Sequence, residues 1–256
     1  LAAWGSAGDT PLLLKAEGKP GLLLNLVLDG YARVRREAAG AAWRQLAGQV
    51  LAALGTRPAL ALTGPDGAAL GDVQVFRFRR DDATFVGIMP EDFNAAAVRE
   101  RPAQLRLDQA AHVYDLWRRC YLGHTQTIPV TLRTCRAEVY GLLPHVVGRL
   151  ELAAAVALQG PARTLTCTGR LDTIEGKPVG RQHAVLLDFR DPAGAVQAAY
   201  RTRVLTADGR VEVSLPLAAS DPAGVWSVEA VDIVSGVQSR AWVTVPAVAP
   251  PAAPGT

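Results

Sequence analysis

The stretch Asp221-Pro222-Ala223-Gly224-Val225-Trp226-Ser227-Val228-Glu229-Ala230 decides the fold class, because it joins a turn signal to a strand signal. Proline at the second position and glycine at the fourth are typical of a β-turn. After the turn, Trp226, Val228 and Ala230 recur at every second position, which is the period of a strand with one buried face. We therefore predict a strand whose tryptophan lies in a hydrophobic core.

Six further segments around this strand show short apolar runs bounded by turn residues. Together, the candidate strands of the region 146–246 are Arg149–Leu158, Arg163–Leu171, His183–Asp188, Ala198–Leu205, Val211–Leu215, Gly224–Asp232 and Ser239–Val245. Seven short strands in about 100 residues fit an immunoglobulin-like β-sandwich.

The preceding region, residues 71–145, also shows a period close to two, and we expect it to form a small β domain. The segment from Val73 to Phe78 predicts a strand, and Asp81-Asp82 predicts the turn that follows it. Further candidate strands are Thr84–Met89, Gln104–Leu107, Ala110–Trp117, Ile128–Leu132 and Glu138–Leu143.

The two ends of the chain differ from these β-rich regions. Leu12–Leu14 and Leu22–Leu28 predict a hairpin, and Tyr31–Leu54 predicts a helix that ends at Gly55, so residues 1–70 indicate a partial α/β element. Residues 247–256 are rich in proline and alanine and predict a loose tail. The expected fold class is therefore mainly β, with a small α/β N-terminal part and a C-terminal immunoglobulin-like β-sandwich.

The composition narrows the classes of partner. Hydrophobic residues make up 49% of the 256 residues and charged residues 20%, which argues against a disordered chain. The net charge of +3 gives little reason to expect a nucleic-acid partner. No apolar run approaches the ~18 residues of a membrane span, so we expect no transmembrane helix.

Three parts of the chain carry a resemblance to bacterial β-galactosidases. Gly18-Lys19-Pro20-Gly21-Leu22-Leu23-Leu24-Asn25-Leu26 resembles the end of their trimerisation domain, which has a flavodoxin-like fold. The last ~100 residues resemble a bacterial immunoglobulin-like module. Three further segments resemble the small β domain that closes such glycosidases. They are Ala110-Ala111-His112-Val113-Tyr114-Asp115-Leu116, Tyr121-Leu122-Gly123 and Tyr140-Gly141-Leu142-Leu143-Pro144.

This resemblance implies an accessory role. The two catalytic glutamates of that family lie on the strands of a barrel, and a barrel of about 250 residues leaves no room for the β-rich regions predicted in this chain of 256 residues. The resemblance therefore assigns no catalytic residue here. It implies the C-terminal part of a larger protein, whose partners are the upstream catalytic domain or other subunits.

Two alternatives remain open at this stage, and each names its own residues. A free-standing glycan- or protein-binding module of a secreted or surface protein would present exposed aromatic rings, for which Trp117 beside Arg118 is the best candidate. A hydrolase would bring His112, Asp115 and a second carboxylate together in one pocket. Core or interface packing is the competing interpretation of Trp117.

The remaining chemistry-bearing residues predict neither a cofactor nor a metal site. The four histidines, His112, His124, His145 and His183, lack the His-x-x-x-His spacing of a helical metal site. Cys120 and Cys135 flank what looks like a strand connection and are candidates for a disulfide, with unpaired buried thiols as the alternative. Such a disulfide would favour a periplasmic or secreted protein.

Overall fold

The structure is a computed structural model that describes residues 2–7, 10–15, 22–24, 47–52, 54–55, 58–91, 100–160, 162–180 and 183–247. The chain is mainly β, and its strands form separate antiparallel sheets. No helix in these ranges has the length and apolar character needed to cross a membrane.

The N-terminal part contains a three-stranded antiparallel sheet of β1 (Ala2–Ala7), β2 (Thr10–Lys15) and β3 (Leu22–Leu24). The predicted hairpin is present, because Leu13 pairs with Leu24 across β2 and β3. Residues 47–52 are helical, and Gly55 follows with φ +71°, the left-handed conformation expected at a helix end. The earlier part of the predicted helix and most of the flavodoxin-like element lie outside the described residues, so that assignment stays a prediction.

The small β domain is one six-stranded sheet in the order β4–β7–β9–β6–β5, with β8 paired to β7. Strand β4 (Leu60–Thr63) pairs with β7, so the sheet begins before the predicted boundary at residue 71. The predicted turn at Asp81-Asp82 joins β5 to β6, where Arg80 pairs with Ala83. The strands are β4 (Leu60–Thr63), β5 (Val73–Arg80), β6 (Ala83–Pro90), β7 (Glu100–Asp115), β8 (Cys120–Arg133) and β9 (Glu138–Leu143).

Strand β7 contains a large bulge, which the sequence pattern showed only as a break between two predicted strands. The two predicted strands Gln104–Leu107 and Ala110–Trp117 are parts of one 16-residue strand. Arg106 pairs with Thr127, but the next pair joins Ala111 to Thr125, so the residues between them have fewer partners on β8. The prediction of two strands was wrong because a bulge interrupts the alternation without ending the strand.

The predicted sandwich is present, with all seven strands. One sheet has the order β10–β11–β14 and the other the order β13–β12–β15–β16. The strands are β10 (Val147–Gln159), β11 (Ala162–Thr173), β12 (Ala184–Arg190), β13 (Thr202–Leu205), β14 (Arg210–Leu217), β15 (Gly224–Asp232) and β16 (Gln238–Val245).

The facing sides of the two sheets form the main hydrophobic core. Trp226, Val228 and Ala230 of β15 are fully buried, as their alternation predicts. Leu187 and Phe189 of the neighbouring β12 are fully buried as well. Strand β13 begins four residues later than expected, because the backbone N–H of Tyr200 bonds to the carbonyl of Gln197 in a turn.

The small β domain and the sandwich share one core at their joint. Ala83, Tyr114 and Leu143 belong to the same buried cluster as Val179 and Val234 of the sandwich. Burial of such a cluster removes apolar surface that each region would otherwise expose to water. The two regions are therefore packed against each other and are not merely tethered.

Two further contacts join the small β domain to the sandwich: one is a hydrogen bond, and the other is a close approach of a turn to a loop. The Tyr114 hydroxyl accepts a hydrogen bond of 2.9 Å from the backbone N–H of Val147, the first residue of the sandwich. In the turn between β15 and β16, Gly236 has φ +77°, and a Cβ atom there would lie 2.2 Å from the carbonyl oxygen of Arg119. Only glycine fits this approach between the β15–β16 turn and the β7–β8 loop.

Candidate functional site

Asp115 holds the loop between β7 and β8 in place. In the hydrolase interpretation it would instead act together with His112 in a pocket. Its buried carboxylate accepts hydrogen bonds from the backbone N–H groups of Trp117 and Arg118, each at 2.9 Å. The guanidinium of Arg118 lies 3.4 Å from the other carboxylate oxygen. These contacts hold the loop in a side-chain-capped turn.

Trp117 lies in this loop with 57% of its surface exposed, as expected for a ligand-facing ring. Its indole N–H donates a 2.7 Å hydrogen bond to the carbonyl of Ala137. The guanidinium of Arg136 lies 5.4 Å from the ring centroid, at cation–π distance. The ring is thus anchored to the turn before β9, and Arg136 competes with any sugar for one of its faces.

His112 joins a small aromatic cluster and does not pair with Asp115. Its Nδ1 atom lies 2.8 Å from the Tyr121 hydroxyl, and its ring centroid lies 4.6 Å from that of His124. Burial, with a smaller effect from His124, lowers the pKa of His112 below its ordinary value of 6.5. The structure therefore brings together His112, His124 and Tyr121, and it leaves Asp115 in the loop.

His112 and His124 line a polar pocket of the small β domain, whose volume is about 250 Å³. The β7 bulge supplies one wall, because residues 108–112 all face the pocket. Its charged and polar lining comprises Arg77, Asp82, Thr84, Asp108, Gln109, His112 and His124. Such a pocket offers hydrogen-bond donors and acceptors to a small polar ligand. The sequence contained no recognisable motif for the bulge that forms its wall, so sequence reasoning did not predict the pocket.

A buried polar network lies at the joint, and sequence reasoning missed it. The Nδ1 atom of His183 lies 3.0 Å from a carboxylate oxygen of Asp232, and both side chains are buried. The other carboxylate oxygen accepts hydrogen bonds from the Ser235 hydroxyl at 2.5 Å and from its backbone N–H at 2.8 Å. Because the serine bonds to the aspartate and not to the histidine, this is not the order of a nucleophilic triad.

His145 lies beside this network. Its ring centroid is 5.9 Å from that of His183, and the buried Nε2 atoms of both rings have no hydrogen-bond partner among the described residues. Burial, followed by the neighbouring His183, lowers the pKa of His145. His183 and Asp232 are 49 positions apart in the sequence, so no local pattern could predict that they pair.

The disulfide considered between Cys120 and Cys135 is not formed. Cys120 is a half-buried thiol, Cys135 an exposed one and Cys167 a buried one. The segment between the first two is the single strand β8, not a strand connection, so the two cysteines flank opposite ends of one strand. Burial raises the pKa of the Cys167 thiol to about 12, which keeps it protonated and unreactive.

No group of three or more His, Cys, Asp or Glu side chains within the described ranges is arranged to hold a metal ion. The geometry among these residues thus presents a polar pocket, a capped loop and a buried network.

Comparisons with known proteins add two distant structural likenesses. No protein-family model matches the sequence, and no curated protein is significantly similar to it. The chicken interferon gamma receptor alpha chain is 8% identical with a TM-score of 0.25, over 73% of this chain and 98% of that one.

The second likeness is to an isomalto-dextranase from Arthrobacter globiformis T6 in complex with panose. It is 14% identical with a TM-score of 0.21, over 72% of this chain and 33% of the dextranase chain. At these TM-scores neither likeness carries an argument about function. The description that the strand order supports is a mainly β protein with an immunoglobulin-like β-sandwich.

Proposed function

We propose that this chain is a non-catalytic accessory region of a larger, glycoside-hydrolase-like protein, where it supports, orients or oligomerises the catalytic domain. The observation that carries the proposal is the core shared by the small β domain and the sandwich. An accessory region can orient a neighbour only if its own parts keep a constant arrangement, and a buried apolar joint provides this. The link to glycoside hydrolases comes from the resemblance to β-galactosidases.

The positions of the candidate catalytic groups agree with this role. His112 bonds to Tyr121, while Asp115 is occupied by the backbone of its own loop. A general acid and base must both reach the reacting atoms, and these two groups have other partners. The accessory role does not require His112 and Asp115 to act as a general acid and base.

The proposal is tested on the native protein. An antibody raised against this chain would isolate the protein from its source cells, for intact mass, N-terminal sequencing and hydrolysis of an aryl galactoside. We expect a polypeptide much heavier than 27.1 kDa that carries a barrel-sized region before residue 1 and hydrolyses the substrate. A native polypeptide close to 27.1 kDa would overturn the accessory role.

A glycan-binding module is the second candidate, because exposed Trp117 and the polar pocket offer the groups that sugars use. Titration of the chain with galactose oligosaccharides, followed by the NMR shifts of the tryptophan indole and histidine ring protons, tests this candidate. The accessory role predicts no saturable shift. Saturable shifts that disappear in Trp117→Ala, but persist in Trp242→Ala, would favour the binding module instead.

A further inference from the structure

Strand β5 lies at the edge of the six-stranded sheet, and β6 is its only strand partner among the described residues. In a hairpin with a two-residue loop, the pair next to the loop exchanges hydrogen bonds. The bonded positions of β5 are then the even-numbered ones, in agreement with the 2.9 Å bond from Glu91 N–H to the Asp72 carbonyl. The N–H and C=O groups of Val73, Val75, Arg77 and Arg79 therefore point outward.

This edge lacks most of the features that prevent strand addition. Folded proteins protect such edges with short strands, prolines, bulges or charged side chains, and of these β5 has only the charged side chains, its three arginines. The strand has eight residues and no proline, and its register with β6 runs without a shift from Val73 to Arg80. Every residue from Gln74 to Arg80 is exposed. The outward backbone groups thus form a straight row about 20 Å long.

The side chains of β5 differ between its two faces. Phe76 and Phe78 lie on one face with ring centroids 6.5 Å apart, and Phe78 is 63% exposed. Phe76 stands opposite Gly87, which has no side chain to cover it. Val75, Arg77 and Arg79 lie on the other face, because successive residues of a strand alternate. An added strand would meet an aromatic surface on one side and a basic surface on the other.

The arginines of this strand have no partner among the residues that the structure describes. No salt bridge or hydrogen bond joins the side chains of Arg77, Arg79 or Arg80 to any described residue. By comparison, Arg101 and Arg133 form ion pairs with Asp72 and Glu100. Unpaired arginines oppose pairing with a basic strand and favour a carboxylate-bearing one.

We propose that β5 is a docking edge that accepts an extended acidic segment of a partner protein as an additional strand. Residues directly opposite each other on paired strands share a face. The segment would carry Asp or Glu opposite Arg77 and Arg79, and apolar residues opposite Phe76 and Phe78. Main-chain hydrogen bonds to the outward groups would supply affinity, and the alternating side chains specificity. This inference goes beyond the accessory role and does not depend on it.

The first test uses a fluorescein-labelled peptide of alternating glutamate and valine, with a scrambled peptide that groups the glutamates and valines in two blocks. We expect saturable binding of the alternating peptide, weakened by salt. Hydrogen exchange in the complex should slow at the amides of Val73, Val75, Arg77 and Arg79. The amides of Gln74, Phe76 and Phe78 already bond to β6 and should change little.

Variants separate strand addition from simple charge attraction. Arg77→Glu with Arg79→Glu should weaken binding at least tenfold, while Arg203→Glu with Arg210→Glu, on the sandwich, changes net charge equally and should retain it. Val75→Pro removes an outward N–H but no bond to β6, and we expect it to weaken binding with all arginines present. Near-UV circular dichroism verifies that each variant is folded.

Four results would overturn the proposal. They are equal binding of both peptides, binding without slowed exchange at the odd-numbered amides, binding unaffected by Val75→Pro, and slow exchange of those amides in the protein alone. The last result would mean that another segment of this chain, or a second copy, already pairs with β5. Sedimentation analysis would distinguish these two occupants.

Discussion

Strand β15 of the sandwich and strand β5 of the small β domain have similar lengths and both contain aromatic residues. In β15, every second residue from Trp226 to Ala230 is fully buried. In β5, the aromatic residues Phe76 and Phe78 remain exposed. β15 lies inside a four-stranded sheet that packs on another sheet, whereas β5 lies at an edge. The comparison shows that the position of a strand, inside a sheet for β15 and at an edge for β5, decides whether its aromatic side chains are buried.

The largest expected effect concerns the buried tryptophan of the sandwich. Trp226→Ala should lower the free energy of unfolding by about 3–5 kcal/mol, because it leaves a cavity in a close-packed core. It also removes the 2.9 Å hydrogen bond from the indole N–H to the carbonyl of Pro222. Guanidinium unfolding measures the change. The control Trp242→Ala, at a position 62% exposed, should cost less than about 1 kcal/mol; similar costs would contradict the contrast between core and surface.

The joint comes next in magnitude. Tyr114→Phe should lower the free energy of unfolding by about 1–3 kcal/mol, because the buried N–H of Val147 loses its acceptor. Tyr121→Phe removes the hydroxyl that bonds to His112 Nδ1, but this side chain is exposed, so water can replace the bond and the cost should be only about 0.5 kcal/mol. If Tyr114→Phe cost no more than Tyr121→Phe, the joint would not couple the two regions.

A third prediction compares capped loops in the two regions. Asp115 and Asp191 each accept two backbone N–H bonds with one carboxylate oxygen, but only Asp115 is buried. Asp115→Ala should cost about 2 kcal/mol, and Asp191→Ala about 1 kcal/mol, because unpaired groups are more costly when water cannot reach them. Thermal unfolding of both variants provides the measurement, and a larger cost at Asp191 would reverse the expected order.

The smallest expected effect is a dependence of the unfolding free energy on pH, which comes from His145 at the joint. Burial and the neighbouring His183, with a smaller effect from His112, lower the pKa of His145, and Asp82 and Asp232 oppose this. The unfolded chain therefore binds a proton more readily than the folded one, so the stability contributed by neutral His145 decreases as pH falls below about 6.5. His145→Gln should reduce the slope of unfolding free energy between pH 7 and pH 5.5. An unchanged slope would contradict this assignment.

Local patterns predicted the sandwich well for a physical reason. Each strand has one face against the core, so apolar residues alternate with polar ones along Arg163–Leu171 and Gly224–Asp232, and Gly or Asp-Pro turns separate them. The hairpin turn at Asp81-Asp82 was also predicted, because the two-residue turn lies between strands of clear composition. The small β domain was harder because β7 bends at a bulge and mixes two patterns in one strand.

The candidate site shows the limit of such patterns. Trp117 was a candidate for an exposed ring, with core or interface packing as the competing interpretation, and its ring is exposed. Its contacts with Arg136 and Ala137 come from the turn before β9. The proximity of His112 and Asp115 in sequence suggested a common pocket, whereas their hydrogen bonds lead to different partners. Sequence spacing does not reveal which neighbours a side chain meets across a sheet.

The sequence by itself determined the β class, the strands of the sandwich and the burial of Trp226, because these depend on alternation and turns within a few residues. Only the tertiary structure decided the joint through Tyr114 and Val147, the pairing of His183 with Asp232, and the exposure of the β5 edge. These features depend on which strands become neighbours and which strand is left at an edge. Long-range packing governs that choice, and no local pattern encodes it.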